Sequence, residues 1–197
     1  MDSKRLIELA ALATEASGCT KCALAESRTQ VVFASGHPNS SLMIVGEAPG
    51  QNEDEQGLPF VGRSGDLLDE LLEMIGLDRK NVYITNVVKC RPPKNRDPKP
   101  EEIEACKPYL RDQVPLVDPT VVVTLGNFAT KLLLPTEEGI TKVRGRSYEW
   151  WARWLVPTYH PAAALRGGAK VKDLMQADFW EVRRLLDSVE PTKATSD

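Results

Sequence analysis

Glu47, Asn86, Asn127 and His160 each stand where a short apolar run of this 197-residue chain ends. Glu47 follows Leu42-Met43-Ile44-Val45-Gly46, and Asn86 closes the apolar part of 81–88. Gly126-Asn127 follow 120–125, and His160 follows 154–158. Short apolar runs bounded by Gly, Ser or Asn read as strands buried on both faces of a parallel sheet. In open α/β sheets, ligands sit just outside the carboxyl ends of the strands. Strands laid side by side would put a carboxylate, an amide and an imidazole on one rim. Taken singly, Glu47 is also a plausible solvated turn residue, Asn86 a turn residue bonded to local backbone, and His160 a strand-end residue bonded to a carbonyl. Taken together, with Phe60 nearby and basic loops around, they describe a pocket for a flat polar ligand.

A second set of residues has metal chemistry. Cys19 and Cys22 form a C-x2-C pair, and Cys90 and Cys106 are separated by 15 residues. The first pair is not followed by the hydrophobic and Pro pattern of a thioredoxin helix. Two pairs together read as four-thiolate ligation, of zinc or of an iron–sulfur cluster, and spacing alone leans slightly to zinc. No export signal is evident in MDSKRLIELAALATEASG, so structural disulfides would be out of place and the expected location is cytoplasmic.

The net charge of −3 gives no whole-protein field for nucleic acid, but the basic residues cluster. Lys89, Arg91, Lys94, Arg96 and Lys99 face one acid, Asp97, within 89–99. Lys142, Arg144 and Arg146 alternate, and Arg166, Lys170 and Lys172 form a third group. If the fold gathers them, they make a phosphate-tracking face. No apolar run approaches the roughly 18 residues of a membrane span.

The elements that must position these residues follow from periodicity. Helices are expected over 3–16, 64–75 (capped by Ser64), 101–113, 126–134 and 171–189, with 46–63, 91–100 and 162–166 as loops. An extended excursion with its turn at Gly145 covers 142–154. The fold expected is α/β, an open, mostly parallel four-stranded sheet with helices on both faces. One domain fills 1–189, and 190–197 is a frayed tail.

Gly46-Glu-Ala-Pro-Gly50, Glu53-Asp54 and Gly57-Leu-Pro-Phe-Val-Gly62 resemble the first motif of the family-4 uracil-DNA glycosylases, the iron–sulfur type. Thr85-Asn-Val-Val-Lys-Cys90 and His160-Pro-Ala-Ala-Ala-Leu-Arg166 resemble its later motifs, and the likeness runs from Cys19 to about Trp180. The resemblance implies a three-layer α/β/α fold and a structural 4Fe–4S cluster on Cys19, Cys22, Cys90 and Cys106. It implies excision of uracil from DNA. Phe60 would stack on the flipped base, Asn86 would read its O4 and N3 edge, and His160 would donate to O2. Glu47 would position or activate water, Glu53 would crowd the C5 side, and the backbone around Ala48 would touch the base. Leu165 is the expected wedge into the DNA stack, with Arg166, Lys142, Arg144 and Arg146 on phosphates. Some relatives form an adduct with the abasic sugar through a His in the loop after the second motif. Here 91–106 contains no His, so turnover without an adduct or a lyase step is expected. The other readings are a non-catalytic nucleic-acid-binding metalloprotein of the same fold, or a glycosylase preferring hypoxanthine. A monomer is the default, and recruitment by a sliding clamp is open.

Overall fold

A computed structural model describes residues 3–188, so the tail expected at 190–197 lies outside the described residues. The chain runs α1 (Ser3–Ser17), α2 (Leu24–Ser27), β1 (Ser35–Gly36), β2 (Leu42–Gly46), α3 (Gln51–Gln56) and α4 (Arg63–Met74). It continues through β3 (Tyr83–Asn86), a single 3-10 turn (Pro93–Asn95), α5 (Pro100–Val117), β4 (Val121–Leu125) and α6 (Asn127–Leu133). It ends with α7 (Ile140–Val143), β5 (Tyr148–Trp150), β6 (Arg153–Thr158), α8 (Pro161–Gly167) and α9 (Ala169–Ser188).

The sheet has six strands in the order β1-β3-β2-β4-β6-β5. The inner four are parallel and are the four expected. The two additions are short antiparallel edges, Ser35–Gly36 on β3 and Tyr148–Trp150 on β6. The turn from β5 to β6 is Trp151-Ala152, both at positive φ (49° and 58°), and not Gly145 as expected. Gly145 instead follows α7.

The β2 and β4 strands are buried throughout. Their alternate side chains supply two cores. Leu42, Ile44, Val121 and Val123 face α4 and α9, with Leu68, Leu72 and Phe179. Met43, Val45 and Val122 face α5, with Leu110 and Val114. Full burial of each such side chain contributes roughly 1.5–3 kcal/mol, and a one-residue slip would exchange the two sets. Three layers result, as the resemblance implied.

Two helices fall in stretches expected to be loops. The α3 helix, QNEDEQ, is polar all round and ends at Gly57 (φ 72°). The α8 helix begins with Pro161 at its first position and is capped by His160. The helix expected at 64–75 starts one residue earlier, and Gly62, not Ser64, is its N-cap.

Candidate functional site

Register places the rim. Gly46 pairs with Asn86, and Leu125 with Thr158, so the strand exits line up as Asn86, Glu47, Gly126 and His160. Val87 N–H donates to Gly46 O (2.9 Å) and Val88 N–H to Glu47 O (3.1 Å), extending the β2–β3 pairing past the strand ends. A cleft of about 440 Å3 opens there, in the range of a small-molecule site. It is lined by Glu47, Ala48, Glu53, Phe60, Asn86 and His160, by Arg166, expected on phosphates, and also by Pro49, Ser64, Asn95, Arg96 and Asp97.

Phe60 is 4% exposed and sits at φ 55°, a left-handed conformation that a bulky residue adopts only under constraint. The constraint is visible. Arg79 Nη1 donates to Pro59 O (3.0 Å) and Nη2 to Phe60 O (2.6 Å), while Nε donates to Asp69 (3.0 Å). Gly65 admits the Phe60 carbonyl against α4, where any Cβ would collide with it. The Phe60 ring lies 5.8 Å from the His160 ring at a tilt of 32°.

Asn86 is 1% exposed. Among the described residues its Oδ1 is a buried acceptor with no hydrogen-bond partner. Such an atom costs about 1–3 kcal/mol unless a ligand satisfies it. A Cβ on Gly46 would collide with this oxygen and stand 2.5 Å from Phe60 Cζ, so the glycine keeps the space between amide and ring open.

Ala162 N–H donates to His160 Nδ1 (3.2 Å). The neutral ring therefore carries its proton on Nε2. Burial, then the Arg166 charge, holds the imidazole down to about 4, so it is neutral at ordinary pH. The β6 strand that delivers it is anchored to α9. Thr158 Oγ1 donates to Asp178 Oδ2 (2.5 Å), and Arg144 pairs with the Asp178 carboxylate and donates to Leu174 O (2.8 Å).

Glu47 is pushed up to about 7 from the ordinary 4.5, first by burial and then by Asp97. Glu53 is fixed differently, Val61 N–H donating to its Oε1 at 3.1 Å.

The basic residues divide. Arg144 does not present its guanidinium to solvent as expected. Its side chain is 14% exposed and occupied by Asp178. Lys89 is 1% exposed and belongs to the core, not to a surface field. Arg96 pairs with Glu102, 2.6 Å apart. Lys142 and Arg146 are exposed, Lys142 within 3.9 Å of Glu138. On α8, Ala164 is buried and Leu165 is 41% exposed, one residue before exposed Arg166.

The four cysteines, from the end of α1, the turn before α2, the exit of β3 and α5, line one cavity. Arg28 Nη1 donates to Cys90 Sγ (3.4 Å) and Lys89 N–H to Cys106 Sγ (3.2 Å). Burial pushes the Cys90 thiol up to about 11 and raises Cys106. Among the described residues no three His, Cys, Asp or Glu side chains are gathered round a single-ion position. What the four thiols share is a cavity with donors aimed at its sulfurs, a donor set suited to a thiolate-held group.

Arg28, Arg79, Asp97 and the side-chain role of Lys89 were missed by sequence reasoning. Only Asp97 left a trace there, as the single acid in a basic loop. No helix among the described residues is long and apolar enough to cross a membrane.

Residues 33–186 match the model of the uracil DNA glycosylase superfamily. A type-4 uracil-DNA glycosylase of Sulfurisphaera tokodaii is 45% identical over 93% of this chain and 86% of its own length. Those of Archaeoglobus fulgidus and Thermotoga maritima are each 42% identical, over 90% and 89% of this chain and 93% and 88% of theirs. With the rim and the cysteine cavity in place beneath that likeness, the chain belongs to the uracil-DNA glycosylase superfamily, among its type-4 members.

Proposed function

We propose that this protein is a DNA-repair glycosylase that extrudes uracil from DNA and hydrolyses its N-glycosidic bond, leaving an abasic site and no covalent adduct. The observation that carries the reading is Asn86 Oδ1, a buried acceptor without a partner among the described residues, facing the same cleft as Phe60 and His160.

The base has to leave the stack before any side chain reaches it. In the cleft it stacks on Phe60. Asn86 Oδ1 accepts from uracil N3–H while the amide nitrogen donates to O4. Cytosine presents the opposite pattern on both atoms and is refused. Glu53, held by Val61 N–H, occupies the C5 side and excludes a methyl group. The backbone at Ala48 completes the wall.

As the bond from uracil N1 to the sugar C1′ breaks, the electron pair goes to the base. His160 Nε2–H donates to O2 and stabilises the anion, a task for the neutral ring that burial provides. Glu47, ionised, orients water toward C1′ and accepts its proton as the new C–O bond forms; its charge also favours the cationic sugar. Leu165 fills the space the base vacates. Arg166, Lys142 and Arg146 contact phosphates.

Cys19, Cys22, Cys90 and Cys106 would hold a 4Fe–4S cluster, whose contribution is structural. The residues fit it, since all four thiols line one cavity and two already accept hydrogen bonds. Those bonds fasten the end of α2 and the first half of α5 to the exit of β3.

The test uses labelled oligonucleotides carrying uracil, hypoxanthine, xanthine or a thymine mismatch, incubated with protein and then treated with alkali. Strand scission at uracil alone is expected. Scission mainly at hypoxanthine would reassign the substrate, and none at any base would leave a binding protein. A band of retarded protein–DNA adduct on a denaturing gel would contradict hydrolytic turnover.

A further inference from the structure

A lysine lies buried between the cleft and the cysteine cavity. Lys89 is among the largest fully buried side chains of the protein, three residues after Asn86 and one before Cys90. An ammonium in the interior is costly unless every proton is met. Here Nζ donates to Thr85 Oγ1 (2.6 Å), Asn86 O (2.7 Å) and Gln113 Oε1 (2.6 Å). Gln113 is itself held from α5, its Nε2 donating to Tyr83 Oη (2.9 Å) and Phe33 O (3.3 Å). The backbone N–H of the same lysine donates to Cys106 Sγ.

A methionine of similar length would fill this space without desolvating a charge, so packing does not explain the residue. What the ammonium adds is a grip on the main chain of Asn86. The recognising oxygen, Oδ1, has no partner of its own among the described residues. Its aim therefore depends on the backbone that carries it, and the Asn86 carbonyl is one of the three groups the ammonium holds.

We infer that Lys89 is a positioning residue for uracil recognition. Its side chain fixes the Asn86 main chain from inside the core, and its amide ties that point to the cysteine cavity. The inference rests on Asn86 reading the base. Lys89 touches no substrate.

Lys89→Met is compared with wild type, Asn86→Ala and the double variant in the metal-replete protein. Inhibition by free uracil is expected to weaken about tenfold in Lys89→Met, the size of one lost charge-assisted hydrogen bond. Binding to DNA with an abasic-site analogue is expected to stay at the wild-type level. In the Asn86→Ala background, Lys89→Met is expected to slow excision no further. An unchanged uracil inhibition constant, or an equal loss of rate in both backgrounds, would overturn the proposal while leaving the Asn86 reading intact. Excision undiminished by Asn86→Ala alone would overturn both. Should Lys89→Met not fold, Thr85→Val removes one of the three acceptors. A threefold or greater loss of uracil inhibition with abasic-analogue binding kept supports the proposal, and no loss overturns it.

Discussion

Glu47 gives the most quantitative expectation. Burial, then Asp97, pushes its carboxyl up to about 7, and the proposed chemistry uses the carboxylate. His160, held down to about 4, stays neutral across the same range, so one limb of the pH profile belongs to Glu47. A base titrating at about 7 raises kcat/KM about tenfold between pH 6 and pH 8, whereas one at an ordinary 4.5 leaves it nearly flat. The assay is uracil release from a single-stranded oligonucleotide under kcat/KM conditions, measured from pH 5 to pH 9. Asp97→Asn is expected to move the midpoint lower but not to 4.5, since burial is the larger cause. Stability carries the opposite sign. The folded protein binds the Glu47 proton more tightly than the unfolded chain, so ionising it costs stability as pH rises from 4.5 through 7. Glu47→Gln therefore abolishes the limb and gains relative stability as pH rises over that window, the amide having no charge to desolvate. A flat wild-type profile from pH 6 to pH 8, or a limb that survives in Glu47→Gln, would refute the reasoning.

Other expectations follow from packing. Gly46→Ala drives a methyl against Asn86 Oδ1 and the Phe60 ring, so uracil excision is expected to fall more than a hundredfold while circular dichroism shows a retained fold. Leu165→Ala removes an exposed apolar side chain beside the cleft and should slow excision from duplex DNA about tenfold more than from single strands, the duplex alone needing a wedge. Cys106→Ser replaces a buried thiol of the shared cavity. The expected outcome is loss of bound iron, of the brown visible absorption band of anaerobically prepared protein, and of several degrees in thermal midpoint. Zinc in place of iron in the wild type would correct the cofactor and leave the donor set standing.

The strand exits were legible because each inner strand is short and mostly apolar and is bounded by Gly, Asn or a polar residue at its carboxyl end. Glu47, Asn86 and His160 could be set on one rim before any coordinates. Two helices were illegible for separate reasons. Gln51–Gln56 has no apolar stripe for periodicity to find, and Pro161–Gly167 follows a strand so directly that its His cap reads as a loop. The edge strands are too short for alternation to register. Charge misled where burial decides. Arg144 and Lys89 read as surface cations, yet each is consumed by partners distant in sequence, Asp178 for one and Gln113 for the other. The Arg79 clamp on Phe60 joins residues 19 apart and has no local signature at all.

The most direct measurement is the release of free uracil from a labelled single-stranded oligonucleotide by the wild-type protein and by Asn86→Ala, with a cytosine-containing oligonucleotide beside it. Wild type is expected to free uracil, leave an alkali-labile site and spare cytosine, and Asn86→Ala to be at least about a hundredfold slower on uracil, two charge-dispersing hydrogen bonds being lost. Equal rates for the two proteins, or an intact uracil strand after alkali with the wild type, would contradict the reading of the cleft.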